Sequence, residues 1–275
     1  NQETKSTLMK YKESLYPINE VHDWSGYDKE YRFDRNLEKF SKRPYNDFSV
    51  LVNYENNRAL KYYGENPIEY RYNNYGFRTP DDFNDVDDGN VFIGCSHTAG
   101  VGHHLENTWS YKLNKDVGGK FWNLSQGGCG IQTDYRLLYG WKDTLKIKNI
   151  FHYTVPHPRF EFFNGNELLH LNTWSKFEHL SRTHTQRVVL EFYLEFLSDK
   201  EYCNYSQMIY INSIKGLSQE IGCNYYYLTP EILGIHDSRP LLNKDDNSLR
   251  ARDLLHYSVS KQNYIYEEFK KLWQE

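Results

Sequence analysis

The sequence predicts an α/β protein in three layers, a parallel sheet with helices over both faces, and two observations carry that expectation. From Asn90 onward, short apolar runs of strand length alternate with longer stretches of helical periodicity. The runs are predominantly apolar, and each reads as a buried strand. A chain that alternates strand and helix in this way returns each strand parallel to the last.

Residues 1–85 come first and are polar, rich in Tyr and Asn and weakly periodic, which predicts an extension packed on a main domain of residues 86–275. Val91-Phe92-Ile93 is the first strand. Asn107 to Val117 follows as a helix, with Asn107 as its N-cap and Gly118-Gly119 as its stop. Phe121-Trp122-Asn123-Leu124 is the second strand. Tyr135, Leu138, Trp141 and Leu145 share one helical face. Asn149 to Val155 is the third strand. Between Pro156 and Thr173 the rhythm changes: two apolar runs flank Asn164-Gly165-Asn166, which predicts an inserted β-hairpin. Tyr210, Ile214, Leu217 and Ile221 mark the next helix, Asn224 to Leu228 the fourth strand, and Ile265, Phe269 and Leu272 the last helix.

Composition narrows the function classes. Only 39% of the 275 residues are hydrophobic, but 25 Tyr and 15 Phe supply ring surface, so the core is expected to be aromatic. The 33 basic and 37 acidic residues are interspersed at a net charge of −4, with no basic stripe to follow a phosphate backbone, so nucleic acid is not an expected partner. No apolar run reaches the roughly 18 residues a spanning helix needs, and the first residues lack a charged-then-apolar pattern, so no membrane partner is expected. Four cysteines, Cys95, Cys129, Cys203 and Cys223, make neither a disulfide framework nor a CxxC zinc site; reduced thiols in a cytoplasmic-type compartment are the expectation. His97, His103, His104 and His152 have no carboxylate at ligand spacing, so neither a metal nor a cofactor is expected.

In a parallel sheet, ligands gather where strands end, so the turns after the strands are the candidate site. After the first strand stands Gly94-Cys95-Ser96-His97-Thr98-Ala99-Gly100-Val101-Gly102. A serine at such a strand-to-helix turn can raise its hydroxyl above the sheet edge before a set of backbone N–H groups. Read alone, the same nonapeptide fits a tight turn or a phosphate cradle equally well, although the phosphate-loop lysine and the GxGxxG spacing are missing. After the second strand, Ser125-Gln126-Gly127-Gly128-Cys129-Gly130 lets the backbone approach a ligand. Near the C-terminus, Asp253-Leu254-Leu255-His256 puts a carboxylate and an imidazole three residues apart, where the one can set the tautomer of the other; by itself such a pair is most often a helix cap and a surface histidine. Cys95 and Cys129, next to the exposed positions, are expected to point into the core. Tyr225-Tyr226-Tyr227 reads as strand packing rather than a sugar platform.

Taken together, these blocks resemble the SGNH/GDSL hydrolases, in the branch with Gly-Cys-Ser-x-Thr in the nucleophile block. Gly94 to Thr98 with Gly100, Gly102 and the Asn107-Thr108-Trp109 helix start is similar to the first block, Asn123-Leu124 through Gly128 to the second, and Asp253 to His256 to the last. Asn74-Tyr75-Gly76-Phe77-Arg78 is similar to a lead-in found before the first strand. The resemblance covers residues from about 70 to the end. It implies a flavodoxin-like three-layer fold and a serine esterase acting on a small acyl ester, an O-acetylated carbohydrate among the candidates. In the implied roles, Ser96 attacks the carbonyl, His256 takes its proton, Asp253 orients His256, and the amides of Ser96 and Gly128 hold the oxyanion. The chain departs from the pattern in two places. Where the third block has an Asn donor, this chain has Val155-Pro156-His157-Pro158-Arg159, leaving His157 as the alternative donor, and only four strands are evident where the family core has five. A catalytically weak or inactive binding protein of the same fold is therefore the alternative reading, and a phosphate-binding α/β protein a third.

Overall fold

The structure, a computed structural model, describes residues 41–44, 69–73, 75–154, 159–164, 167–172, 188, 191–233 and 256–275. Its main sheet contains β3 (Asp88–Gly94), β4 (Lys120–Asn123), β5 (Lys146–Tyr153) and β8 (Asn224–Leu228), all parallel, in the order β4-β3-β5-β8. This 2-1-3-4 order is that of a flavodoxin-like doubly wound sheet. The order reverses between β3 and β5, so the crevice outside the carboxyl ends of those two strands is where such a sheet accepts a ligand.

Alternation along the strands sends side chains to two cores. Val91, Ile93, Trp122 and Ile150 face α3 (Ile131–Trp141) and α4 (Lys200–Ile221), meeting Leu137, Leu138, Trp141, Ile214 and Leu217. Phe92, Phe121 and Phe151 face α2 (Trp109–Val117) and α5 (Val259–Gln274), meeting Trp109, Leu113, Ile265 and Phe269. The second core is built from rings, as the composition predicts. Phe92 stacks on Phe151 at 5.3 Å and Trp109 on Phe269 at 4.5 Å, centroid to centroid. Trp109 is fully buried. Trp109→Ala is expected to cost about 3–5 kcal/mol, the range for truncating a buried large aromatic, read from the midpoint of urea unfolding.

A polar ladder crosses the sheet. Asn149 donates to Asn90 at 2.7 Å and accepts from Asn224 at 3.0 Å, so three paired strands carry one continuous amide chain. Asn90 in turn donates to Asn114 and to the Gly118 carbonyl, tying the end of α2 to the sheet. Asn90, Asn114 and Asn149, the buried amides of this ladder, therefore have partners, the condition under which polar groups are tolerated in a core.

The segment before β3 covers the sheet edge. Phe77 and Phe83 pack with Trp141, and the Asp81 carboxylate accepts the Phe121 amide at 2.9 Å while the Thr79 hydroxyl donates to the Phe121 carbonyl. Groups of edge strand β4 that would otherwise stand open are thereby occupied. Further upstream, within the weakly periodic extension, β1 (Ser41–Pro44) and β2 (Glu69–Tyr72) form a separate antiparallel pair.

The hairpin expected around residues 164–166 is present as β6 (Arg159–Asn164) and β7 (Glu167–Asn172), with residues 165 and 166 outside the described set. Arg136 of α3 grips it with two bonds to the Glu161 carboxylate, at 2.7 and 2.8 Å, and Thr133 adds a third. Two helix details differ from expectation. Thr108, not Asn107, caps α2: its hydroxyl accepts from the Tyr111 amide at 3.3 Å and donates to Leu105, which closes Leu105–Asn107 into a 3-10 turn. Leu145 lies beyond the end of α3, yet the Trp141 carbonyl accepts its amide and the side chain stays in the same core.

Candidate active site

The candidate nucleophile turn begins at Gly94, the last residue of β3. Its φ is 140°, and a Cβ there would stand 2.4 Å from both Thr98 Oγ1 and the Tyr153 carbonyl oxygen. Only glycine fits that position. Its amide donates to Asp134 Oδ1 at 3.0 Å and its carbonyl accepts from the Gln126 amide at 3.1 Å, so the turns after β3 and β4 are joined at this residue. Cys95 is extended and fully buried in the core, as expected from the sequence, and Ser96 after it is itself largely buried. Ser96 then opens the single-turn helix α1 (Ser96–Ala99).

Arg78 secures the far end of α1. Its guanidinium donates to the carbonyls of Ala99 (2.9 Å), Gly100 and His103 (2.7 Å). Ala99 and Gly100 are the last residue and the C-cap of α1, and His103 belongs to the turn that follows. The Asn-x-Gly-Phe-Arg lead-in thus has a structural job: Phe77 anchors the segment in the core and Arg78 clamps the serine turn. Asn73 supports it by accepting the amides of Tyr75 and Phe77.

The glycine turn after β4 comes directly to the serine. A Cβ built on Gly127 would lie 3.9 Å from Ser96 Cβ, and Gly128 holds a φ of 69°, which glycine adopts freely. The C-terminal segment comes to the same rim. His97, next to Ser96, stacks on Tyr257 (3.8 Å, 9° between planes) and meets the His256 ring edge-on at 5.2 Å. His103 Nε2 lies 2.6 Å from the Tyr257 carbonyl oxygen. Gln262, buried in α5, donates to the His97 carbonyl at 3.1 Å and accepts from the Trp109 amide at 2.9 Å. Ser96, the Gly127-Gly128 turn and the His256 segment are therefore neighbours at the carboxyl end of β3. Asp253 and His157 lie outside the described residues.

The site's electrostatics follow from its burial. Ser96 is 6% exposed and His97 7%. Burial holds His97 well below its usual 6.5, and the neighbouring His256, Arg159 and His103 side chains push it the same way. The sign follows from proton binding. Below pH 6.5 the unfolded chain protonates this histidine and the folded one does not, so stability is lost as the pH falls from 6.5 toward the depressed value. Melting temperatures between pH 8 and 5 are expected to drop more steeply below 6.5 in the wild type than in His97→Gln, which carries no titrating group there. The Cys129 thiol is pushed up by burial and by Asp134, which makes it a packing group rather than a nucleophile. All four cysteines are free thiols. Among the described residues no three His, Cys, Asp or Glu side chains converge as metal ligands, and no helix is long and apolar enough to cross a membrane.

Sequence reasoning missed Asp134. It sits in the first turn of α3 and is fully buried, with Oδ1 on the Gly94 amide and Oδ2 3.3 Å from His152 Nε2; His152 Nδ1 is 2.8 Å from the Tyr225 hydroxyl. Burial raises the pKa of the carboxyl, against the pull of His152 and the Gly94 amide. The available signal was its position: Asp134 shares a helical face with Ile131, Leu138 and Trp141, and a carboxylate on an apolar stripe needs a partner. Gln262, in the first turn of α5, carries no comparable mark.

Comparison with known proteins returns solved structures only. No family model matches the chain, and no curated protein does. A Clostridium thermocellum family 3 carbohydrate esterase aligns at 14% identity and a TM-score of 0.32, covering 67% of this chain and 94% of its own. An acetyl xylan esterase, AlAXEase, aligns at 15% identity and a TM-score of 0.31, covering 67% of this chain and 99% of its own.

Proposed function

We propose that the chain is a serine esterase of the SGNH type that removes a small acyl group, with an O-acetylated carbohydrate as substrate. The observation that carries the reading is the meeting at one rim of the Ser96 turn, the Gly127-Gly128 turn and the segment of His256, at the switch point of the sheet. Ser96 Oγ attacks the ester carbonyl while His256 takes its proton. The tetrahedral oxyanion sits against the amides of Ser96 and Gly128, with His157 as a further donor. The alcohol leaves with the proton from His256, and water, deprotonated by the same imidazole, releases the acid and restores Ser96. Asp253 orients His256 throughout.

Labelling with a fluorophosphonate probe tests this at the residue level. Adduct on Ser96, together with acetate release from p-nitrophenyl acetate and acetylated xylan, is the expected result; an unlabelled Ser96 in folded protein overturns it. One sequence feature favours a second reading, a binding protein with an idle serine: no Asn stands between Val155 and Phe163 to donate to the oxyanion. Losing one such donor typically costs about 2.7–4 kcal/mol of transition-state stabilisation, which slows an esterase without silencing it. The same labelling separates the two readings.

A further inference from the structure

Behind the serine turn lies a buried polar chain that the hydrolytic steps do not use. Asp134, His152 and Tyr225 come from α3, β5 and β8, and their contacts run in one direction. Tyr225 O–H faces His152 Nδ1 at 2.8 Å, His152 Nε2 faces Asp134 Oδ2 at 3.3 Å, and Asp134 Oδ1 accepts the Gly94 N–H at 3.0 Å. Asp134 and His152 are both fully buried, so neither reaches substrate. Burial also holds the Tyr225 hydroxyl in its protonated form, hydrogen-bonded to the imidazole.

We propose that Asp134 is a positioning residue for hydrolysis at Ser96, its carboxylate fixing the Gly94 amide and with it the turn that presents the serine hydroxyl. The inference rests on the esterase reading above and goes beyond it, because it assigns a role to a carboxylate in none of the three motif blocks. Gly94 is the hinge on which that turn depends. It carries a φ that only glycine tolerates, its carbonyl ties in the Gly127-Gly128 turn through the Gln126 amide, and Ser96 stands two residues on. With one oxygen on the Gly94 N–H and the other 3.3 Å from His152 in a fully buried site, the carboxylate fixes the direction of that N–H and with it the relative placement of the hydroxyl and the oxyanion donors. Misplacing a reacting group by 1 Å can cost about a hundredfold in rate.

Steady-state kinetics per active site, titrated with the fluorophosphonate well below the melting temperature, tests the role. Asp134→Asn keeps an acceptor for the Gly94 amide but loses the charge that strengthens the bond, and Asp134→Ala loses both. The expected order in kcat is wild type above Asp134→Asn above Asp134→Ala, roughly tenfold per step, with KM unchanged. Tyr225→Phe, which removes the hydroxyl at the end of the chain, should lower kcat by a few fold with KM unchanged. A structural role alone would lower the melting temperature and the titratable fraction while leaving kcat per site as it was. If Asp134→Ala does not fold, Asp134→Asn decides: kcat per site equal to wild type overturns the role. A wild type with no turnover, or Ser96→Ala with full turnover, overturns the esterase reading and this role with it; turnover that survives Asp134→Asn unchanged overturns this role alone.

Discussion

Ser96→Ala is expected to reduce kcat for acetyl-ester hydrolysis by roughly four to six orders of magnitude, the loss that follows removal of the nucleophile from a Ser-His-Asp unit, and to abolish fluorophosphonate labelling. The fold should be unaffected. Ser96 is the first residue of α1, but the cap position belongs to Cys95, and the turn is held by backbone bonds to Cys95, by Arg78 and by Asp134 rather than by the serine side chain. A melting temperature within a degree or two of wild type, with the activity gone, is the expected pair of results. Substantial residual turnover would mean that the serine at the strand end is only a turn residue. His256→Ala should approach the same loss, since without the imidazole the hydroxyl keeps its proton.

The second large effect is on stability and comes from Gly94→Ala. Two costs add at this residue: a φ of 140° that L-residues rarely adopt, worth about 1–3 kcal/mol, and a methyl group forced to 2.4 Å from the Tyr153 carbonyl oxygen, worth about 1–3 kcal/mol more. Against a total stability of about 5–15 kcal/mol the substitution removes a large share. For a chain of this size the melting temperature should fall by roughly 5–20 °C in a thermal scan. Gly118→Ala is the control. Its φ is also positive, 77°, but nothing lies within 4 Å of the added carbon, so only the backbone cost applies. Equal losses at the two sites would show that the close packing behind Gly94 does not matter.

The sheet was legible in the sequence because its signals are local. Strands in the middle of such a sheet are dominated by apolar residues, which is why the runs Val91 to Ile93, Phe121 to Leu124, Asn149 to Val155 and Asn224 to Leu228 read as strands, although Asn123, Asn149 and His152 are buried polar residues and edge strand β8 is partly exposed. Their amphipathic helices follow for the same reason. The serine turn was legible as well, since a left-handed or crowded backbone restricts the residue to glycine and leaves a spelling behind at Gly94 and Gly100. The cap of α2 was placed one residue early because Asn107 and Thr108 are both good caps, and only the 3-10 turn beneath Thr108 decides between them.

Arg78, Asp134 and Gln262 follow a different rule. A guanidinium on the carbonyls at and just after the end of α1, a carboxylate on a strand-end amide and an amide bridging two helices each join residues far apart in the chain, and no local pattern marks the partner. From its sequence alone this protein was determined to be a doubly wound α/β chain with a serine at the end of its first core strand, because backbone sterics and burial act residue by residue. Which groups stand behind that serine was decided by tertiary structure, because a hydrogen bond between distant segments exists only once the sheet order has brought them within 3 Å.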